Sequence, residues 1–250
     1  MGQKSALCID YMESIRPRWK AKGFADIAKD NPMSEIVKQL QASLTQLEAT
    51  AQLSGLNALL QAGEESADLL NRACFGVQIQ TSEKDTLWFQ LGLEEAFYLS
   101  HALKCLRILG EDGSPMNGED LWEQMKFKRE TFPDMYKAYS HLRSKNWVVR
   151  SGTQYGVDFV AYRHHPALVH SEYAVLVFNE GDGDGSNPRL RVWSDLQCTL
   201  RVCGSVAKTL LVLNIKRTDN QNFPLWLERS IIEELVTKRW VPEQSRETGT

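Results

Sequence analysis

Trp147-Val-Val-Arg-Ser-Gly152, then Tyr155-Gly-Val-Asp-Phe-Val-Ala-Tyr162, then Tyr173-Ala-Val-Leu-Val-Phe178 is the stretch that decides the fold. The first two segments are short apolar runs around Ser151-Gly152, which is turn chemistry, so they predict a β-hairpin. The third is an unbroken apolar run, as expected of a strand buried on both faces. Downstream, Val192, Leu196, Leu200 and Cys203 are spaced for a helix over Arg191 to Ser205. Thr209-Leu-Leu-Val-Leu-Asn-Ile215 reads as a further buried strand. Upstream, Asp134 is placed to cap a helix from Met135 to Arg143 that carries Tyr136, Tyr139 and Leu142. Strands and helices thus alternate, which indicates an α/β domain. Trp226 to Val241 has both helical spacing and β-branched content, so both readings stay open there.

Working toward the N-terminus, Leu121 to Lys128 reads as a short helix, and Leu93 to Leu109 as a helix stopped by Gly110. Phe75 to Thr81 and Trp88 to Leu91 read as strands. Ile36, Leu40, Leu44 and Leu47 form one helical stripe, extending past Leu53 toward Gly63, although Gly55 weakens that extension. Residues 1 to about 33 read as a tail, within which Arg16-Pro-Arg-Trp-Lys-Ala-Lys22 is basic; a solvated tail is the default, an RNA contact or nuclear signal the alternative. The division is therefore 1–62 as tail and helical extension, 63–130 as a small α/β domain and 131–250 as a second α/β domain.

Composition narrows the function. The 250 residues carry 29 Lys+Arg against 32 Asp+Glu, a net charge of −3. A protein that coats itself in nucleic acid is usually basic, so any RNA contact here must be a local patch. Five cysteines without a CxxC pair argue against a disulfide framework and a thiolate zinc site, and suit a reducing compartment. The first twenty residues lack the apolar core of a secretory signal. No run approaches the roughly 18 apolar residues of a membrane span.

Three groups of residues have chemical potential. His164, His165 and His170 invite a metal reading, but no HExxH or HxH pairing with nearby carboxylates accompanies them. Tyr162, His170 and Lys208 each stand at the end of a predicted element, where side chains from one sheet edge can converge. Such a set suits RNA cleavage, because RNA supplies its own 2′-OH nucleophile. One group must take the 2′ proton, another must protonate the 5′-oxygen, and a cation must stabilise the phosphorane. Arg201 and Trp240 could sandwich an unpaired base, at about 1–3 kcal/mol per stacked base. Gly181 to Asn187 is acidic and resembles part of a calcium loop, but the twelfth position from Asp182 is Trp193, so a surface loop is the simpler reading.

Tyr139-Ser-His-Leu-Arg143, Trp147 to Gly152, Tyr155 to Phe159, Tyr162, His170-Ser-Glu-Tyr173 and Ser205-Val-Ala-Lys208 occur in order. Together with Glu94 to Leu99 they resemble catalytic subunits of tRNA-splicing endonucleases, over roughly Leu93 to Val241. The resemblance implies a small N-terminal α/β domain and a restriction-endonuclease-like C-terminal α/β domain. It implies that Tyr162 is general base, His170 general acid and Lys208 the transition-state stabiliser, with no metal and no cofactor. It places a base-pinching pair on Arg201 and Trp240. The spacing from His170 to Lys208 and the ending Lys238-Arg-Trp240 look more like the eukaryotic subunit that cuts the 5′ splice site. That implies a nuclear heterotetramer with a large structural subunit docked on the C-terminal strands, a second catalytic subunit, and precursor tRNA as substrate. Ala207 departs from the pattern, since some similar members carry a second basic residue there. Rival readings are a non-catalytic subunit of the same complex, a metal-dependent DNA nuclease of the restriction fold, and an RNA-binding module without chemistry.

Overall fold

The computed structural model describes residues 16–80, 87–179, 187–216 and 223–237. The N-terminal part runs α1 (Phe24–Asp30), α2 (Met33–Gln46), β1 (Thr50–Ser54), β2 (Asn57–Ala62), α3 (Glu64–Ala73), β3 (Val77–Ile79), β4 (Leu87–Gly92), α4 (Leu93–Phe97), β5 (Arg107–Leu109) and α5 (Gly118–Lys128), with a π-helical turn at Tyr98–Ala102. Its sheet has the order β3-β4-β2-β1-β5. Met33, Ile36, Leu40 and Leu44 of α2 are buried, while Leu47 is exposed, because the helix has ended and Glu48 turns left-handed.

Three expectations fail here. The expected tail is not structureless over its described part, since Phe24–Asp30 form α1. The helix does not extend past Leu53. Ala51, Leu53, Ala58 and Leu60 are buried at every second position, and Gly55, at φ 55°, lets the chain reverse between β1 and β2. Residues 50–62 are thus part of the first sheet, not of an extension. Nor does one helix fill Leu93 to Leu109. Lys104 turns left-handed, the Cys105 amide closes on the Leu99 carbonyl at 3.0 Å, and the Arg107 amide reaches Ala49 at 3.0 Å. That last bond starts the parallel pairing of β5 with β1. Pairing of an available strand edge outweighs local helical spacing.

The C-terminal part runs α6 (Phe132–Ser144), β6 (Val148–Ser151), β7 (Phe159–Tyr162), β8 (Tyr173–Asn179), α7 (Pro188–Arg191), α8 (Trp193–Ser205), β9 (Thr209–Lys216), α9 (Leu225–Arg229) and β10 (Ile231–Thr237). The sheet order is β10-β9-β8-β7-β6, with β8 and β9 parallel and the other pairs antiparallel. Alternation along β8 and β9 serves two cores. Val175, Val177, Leu211, Leu213 and Ile215 join the large core, which also holds Tyr136, Tyr139 and Leu142 of α6. Ala174, Leu176, Leu210 and Val212 join a smaller one with Cys203 of α8. In its described part, residues 226–237, the ambiguous C-terminal stretch divides into the short helix α9 and the edge strand β10, the β-branched residues falling on the strand. Asp134 is not the cap of α6; Thr131 occupies that place, and Asp134 accepts from Asn179 Nδ2 at 3.0 Å.

Between Ser151 and Phe159 the chain departs from a plain hairpin. A 3-10 turn covers Thr153–Tyr155, and Gly152 donates to the Asp158 carbonyl at 3.0 Å. A Cβ on Gly152 would lie 2.8 Å from the Val157 carbonyl oxygen, so only glycine permits this fold-back, which carries Tyr155 toward β9.

The two sheets share one continuous core, and Arg143 of α6 locks them together. It is buried, yet its guanidinium donates to the carbonyls of Ala73 and Cys74 at 3.1 and 3.0 Å and to the Tyr139 hydroxyl at 3.0 Å. It also lies 3.8 Å from the Phe75 ring centroid. The cation thus caps the C-terminal end of α3, where carbonyls lack helical partners and the dipole favours positive charge. Arg143→Ala is expected to lower the unfolding free energy of the chain by about 3 kcal/mol in urea titrations, and Arg143→Met by about half as much. A loss under about 1 kcal/mol for Arg143→Ala would show that these bonds do not hold the two parts together.

Candidate active site

The backbone determines where the three candidate residues emerge. β8 and β9 are parallel with Tyr173 opposite Thr209, so their N-terminal ends share one edge. β7 is antiparallel to β8 with Ala161 opposite Tyr173, so its C-terminal end reaches the same edge. Tyr162 is the last residue of β7, Lys208 directly precedes β9, and His170 lies three residues before β8. Glu172 ties the ends together: its amide donates to Ala161 at 3.0 Å and its carbonyl accepts from Thr209 at 2.9 Å. The Lys208 amide closes the end of α8 on the Cys203 carbonyl at 2.8 Å, and Ala207 bends the chain there at φ 51°.

The side chains lie in a cationic environment. Lys208 Nζ stands 4.4 Å from the centroid of the Tyr155 ring, a cation–π contact. Tyr162 is half-buried and hydrogen-bonded to the side chain of Ser171, next to His170. Burial pushes the Tyr162 phenol above its ordinary value; the Ser171 bond and the Arg150 cation pull it back in part. His170 is exposed. Partial desolvation, then Arg18, Lys20 and Lys208, hold its imidazole below the usual histidine value. Burial and Arg18 likewise lower Lys208, while Cys203 opposes them. A chain of net charge −3 therefore concentrates positive charge at one sheet edge, an arrangement suited to an anionic ligand.

Other candidate residues separate from this group. His164 is buried with Nε2 2.8 Å from the Asn31 carbonyl oxygen, and His165 Nδ1 accepts from the Ala167 amide at 3.1 Å. Among the described residues no cluster of three His, Cys, Asp or Glu side chains is arranged to hold a metal ion. Asp158 is engaged structurally: Oδ2 accepts from the Val177 amide and Asn187 Nδ2, both at 2.8 Å. That leaves Asn187 anchoring the end of the acidic loop, whose residues 181–186 lie outside the described residues. Arg201 is exposed on the C-terminal half of α8. Trp240 lies outside the described residues. Sequence reasoning gave no role to Arg18, Lys20, Tyr155 or Ser171; Tyr155 and Ser171 lie in segments that carry the resemblance, and Arg18 and Lys20 in the basic run Arg16 to Lys22, read as a tail by default.

Comparison with known proteins gives consistent matches. A family model described as "tRNA intron endonuclease, catalytic C-terminal domain" matches residues 132–223. A second, described as "tRNA intron endonuclease, N-terminal domain", matches residues 49–122. The chain is 53% identical over 239 residues to tRNA-splicing endonuclease subunit Sen2-1 of Arabidopsis thaliana, covering 94% of this chain and 99% of that protein. It is 34% identical over 165 residues to the Sen2 subunit of Mus musculus, covering 64% of this chain and 36% of that protein. It is 32% identical over 131 residues to the tRNA-splicing endonuclease of Saccharolobus solfataricus, covering 50% and 71%.

Behind the site, Glu172 is buried and accepts from Arg163 Nε at 3.1 and 3.2 Å on its two oxygens. The Arg163 guanidinium in turn lies 4.7 Å from the Trp147 ring centroid. Arg163→Ala leaves a buried carboxylate without this partner and is expected to cost roughly 2–4 kcal/mol of stability in denaturant titrations. In a Glu172→Gln background the same substitution should cost under about 1 kcal/mol, because no charge is then stranded. Equal costs in both backgrounds would refute the coupling.

Proposed function

The chain belongs to the tRNA intron endonuclease family, and from that premise we propose that it is the subunit that cuts the 5′ splice site, with Tyr162, His170 and Lys208 as its catalytic residues. The family's function is endonucleolytic excision of introns from precursor tRNA. What carries the assignment of the three residues is the β8–β9 register, which delivers His170 and Lys208 to the edge where Tyr162 ends β7. The 5′ assignment rests on the spacing from His170 to Lys208 and on the ending Lys238-Arg-Trp240.

In this reading Tyr162 takes the proton of the 2′-OH, whose oxygen attacks the adjacent phosphorus. His170 gives its proton to the departing 5′-oxygen, and Lys208 balances the charge that builds on the non-bridging oxygens. The P–O5′ bond breaks as the P–O2′ bond forms, so the products are a 2′,3′-cyclic phosphate and a 5′-OH. The nucleophile belongs to the substrate and the stabilising cation to Lys208, so no step calls for a metal ion. Arg201 and Trp240 would pinch an unpaired base of the substrate. The enzyme would be a nuclear heterotetramer, with a large structural subunit on the C-terminal strands. In support of that docking, β10 pairs only with β9 among the described residues, and Ile231 and Leu235 on it are exposed, an uncovered edge that calls for a partner.

The assembled enzyme is expected to cut an intron-containing precursor in EDTA and leave a cyclic phosphate, detected by its resistance to polyadenylation until the end is opened and dephosphorylated. His170→Ala should abolish the 5′ cut and spare the 3′ cut. Loss of the 3′ cut alone would move the chain to the other catalytic role, and retention of both cuts would make it a structural subunit.

The pH dependence follows from the direction of the two shifts. His170 is held below its ordinary value of about 6.5 and Tyr162 above about 10. The competent pair, phenolate with imidazolium, is then a minority whose population does not change between the two values. Single-turnover rate constants should rise with pH in acid, bend below about pH 6.5 where His170 loses its proton, and stay level from pH 7 to 9. A fall across pH 7 to 9 would mean that His170 acts without a titrating base of high pKa.

A further inference from the structure

The basic segment that precedes α1 is built into the candidate site. Trp19 forms an antiparallel bridge with Val169, and the Lys20 amide donates to the Leu168 carbonyl at 2.9 Å. The Arg18 carbonyl accepts from the His170 amide at 3.1 Å. The chain therefore lies as a short strand along the segment leading into His170, although more than 140 residues separate the two in sequence. The Arg18 side chain then crosses to the other strand end. One terminal nitrogen donates to the Ala207 carbonyl at 2.6 Å and, over a longer 3.4 Å, to the Ser171 carbonyl. Ala207 and Ser171 are the immediate neighbours of Lys208 and His170, and Ser171 also bonds Tyr162.

We propose that Arg18 is a positioning residue of the endonuclease, clamping the His170 and Lys208 segments together and holding a fixed cation beside the imidazole. Three features argue for a built device. Both guanidinium contacts go to backbone carbonyls, so they fix chain position without regard to side-chain rotamers. One acceptor belongs to Ala207, whose left-handed backbone is unfavourable for a residue with a Cβ and needs external support. And while His164 anchors the start of the loop from Arg163 to Glu172 on the Asn31 carbonyl, the bridge at Trp19 and the clamp at Arg18 hold the residues on either side of His170. The groups facing His170 are Arg18 and Lys20 from this segment and Lys208 from the α8–β9 turn. Arg18 is the first of these and also acts on Lys208. Its removal relieves the imidazolium of a neighbouring positive charge and lets His170 hold its proton to higher pH.

The inference rests on the reading of His170 and Lys208 as acid and stabilising cation, so the test carries His170→Ala as a control. The assembled endonuclease is prepared with Arg18→Ala, Arg18→Lys or His170→Ala in this chain and assayed on precursor tRNA under single-turnover conditions. Arg18→Ala is expected to slow cleavage roughly 10- to 100-fold, the size of effect that small misplacement produces, with the half-saturating enzyme concentration within about threefold of wild type. The bend in the pH–rate profile that tracks His170 should move to higher pH. Arg18→Lys keeps the cation and should restore the position of the bend and part of the rate. If Arg18→Ala does not assemble, Arg18→Gln, which retains a donor without the charge, is read by the same criteria. A wild-type rate and an unmoved bend overturn the proposal. So does a loss confined to half-saturation, which would make Arg18 an RNA-binding side chain, and so does an Arg18→Lys bend displaced as far as that of Arg18→Ala. An active His170→Ala enzyme would instead defeat the site assignment itself.

Discussion

Parallel pairing of β8 with β9 is the constraint on which the rest of this structure depends. Parallel neighbours cannot be joined by a tight turn, so a crossover is required, and α7 and α8 supply it. The crossover returns the chain to the same edge from which β8 started, which is why a residue just before β9 meets one just before β8. Tyr173 opposite Thr209 sets the register, and one residue of slip would reverse every side chain between the two cores. Leu210 and Val212 would then face α6, and Leu211 and Leu213 the smaller core. Burial on both faces therefore fixes the geometry of the site more firmly than any contact within it.

The site itself is electrostatically costly. Arg18, Lys20 and Lys208 act on one exposed imidazole, and Arg150 acts on the phenol. Mutual repulsion between cations is tolerated because the edge is open to solvent, and because Tyr155 gives Lys208 an aromatic face. The remaining charge is arranged conventionally: Glu172 is paired with Arg163, and Asp158 is hydrogen-bonded inside the sheet. A net negative chain can thus present a positive edge because its carboxylates are spent elsewhere or lie on other surfaces, and composition alone gives no view of that.

Much of the C-terminal part was legible in the sequence. Tyr173 to Phe178 and Thr209 to Ile215 are apolar runs that only a buried strand explains, and the order Tyr162, His170, Lys208 falls at the ends of the elements that the sequence pattern predicts. The N-terminal part was less legible. Thr50 to Ala62 fits both a helical and a two-residue period, and the decision rests on pairing with β4 and β5, which are 25 to 60 residues away. Leu93 to Leu109 looks helical throughout, but β1 offers an edge that β5 completes. Least legible was Arg16 to Lys22. Its contacts are backbone pairing with residues 168–170 and Arg18 guanidinium bonds to the carbonyls of Ser171 and Ala207, and backbone acceptors leave no pattern in the identity of the residues that provide them.

The opposed shifts of Tyr162 and His170 arise from burial and from the cationic field acting with different weights at neighbouring positions. On the proposed mechanism a phosphorane calls for cations near the reacting phosphorus, and such cations add to partial desolvation in lowering the His170 imidazole. The same charge would favour a phenolate, yet Tyr162 is raised, because burial against the sheet exceeds what Arg150 and Ser171 supply. Binding of a phosphodiester brings a negative charge to the edge, which offsets part of the cationic field at His170 and restores its hold on a proton. On the proposed assignment, protonation of His170 is therefore linked to binding: any anion held at this edge opposes the cations that lower the imidazole, and raises its affinity for a proton.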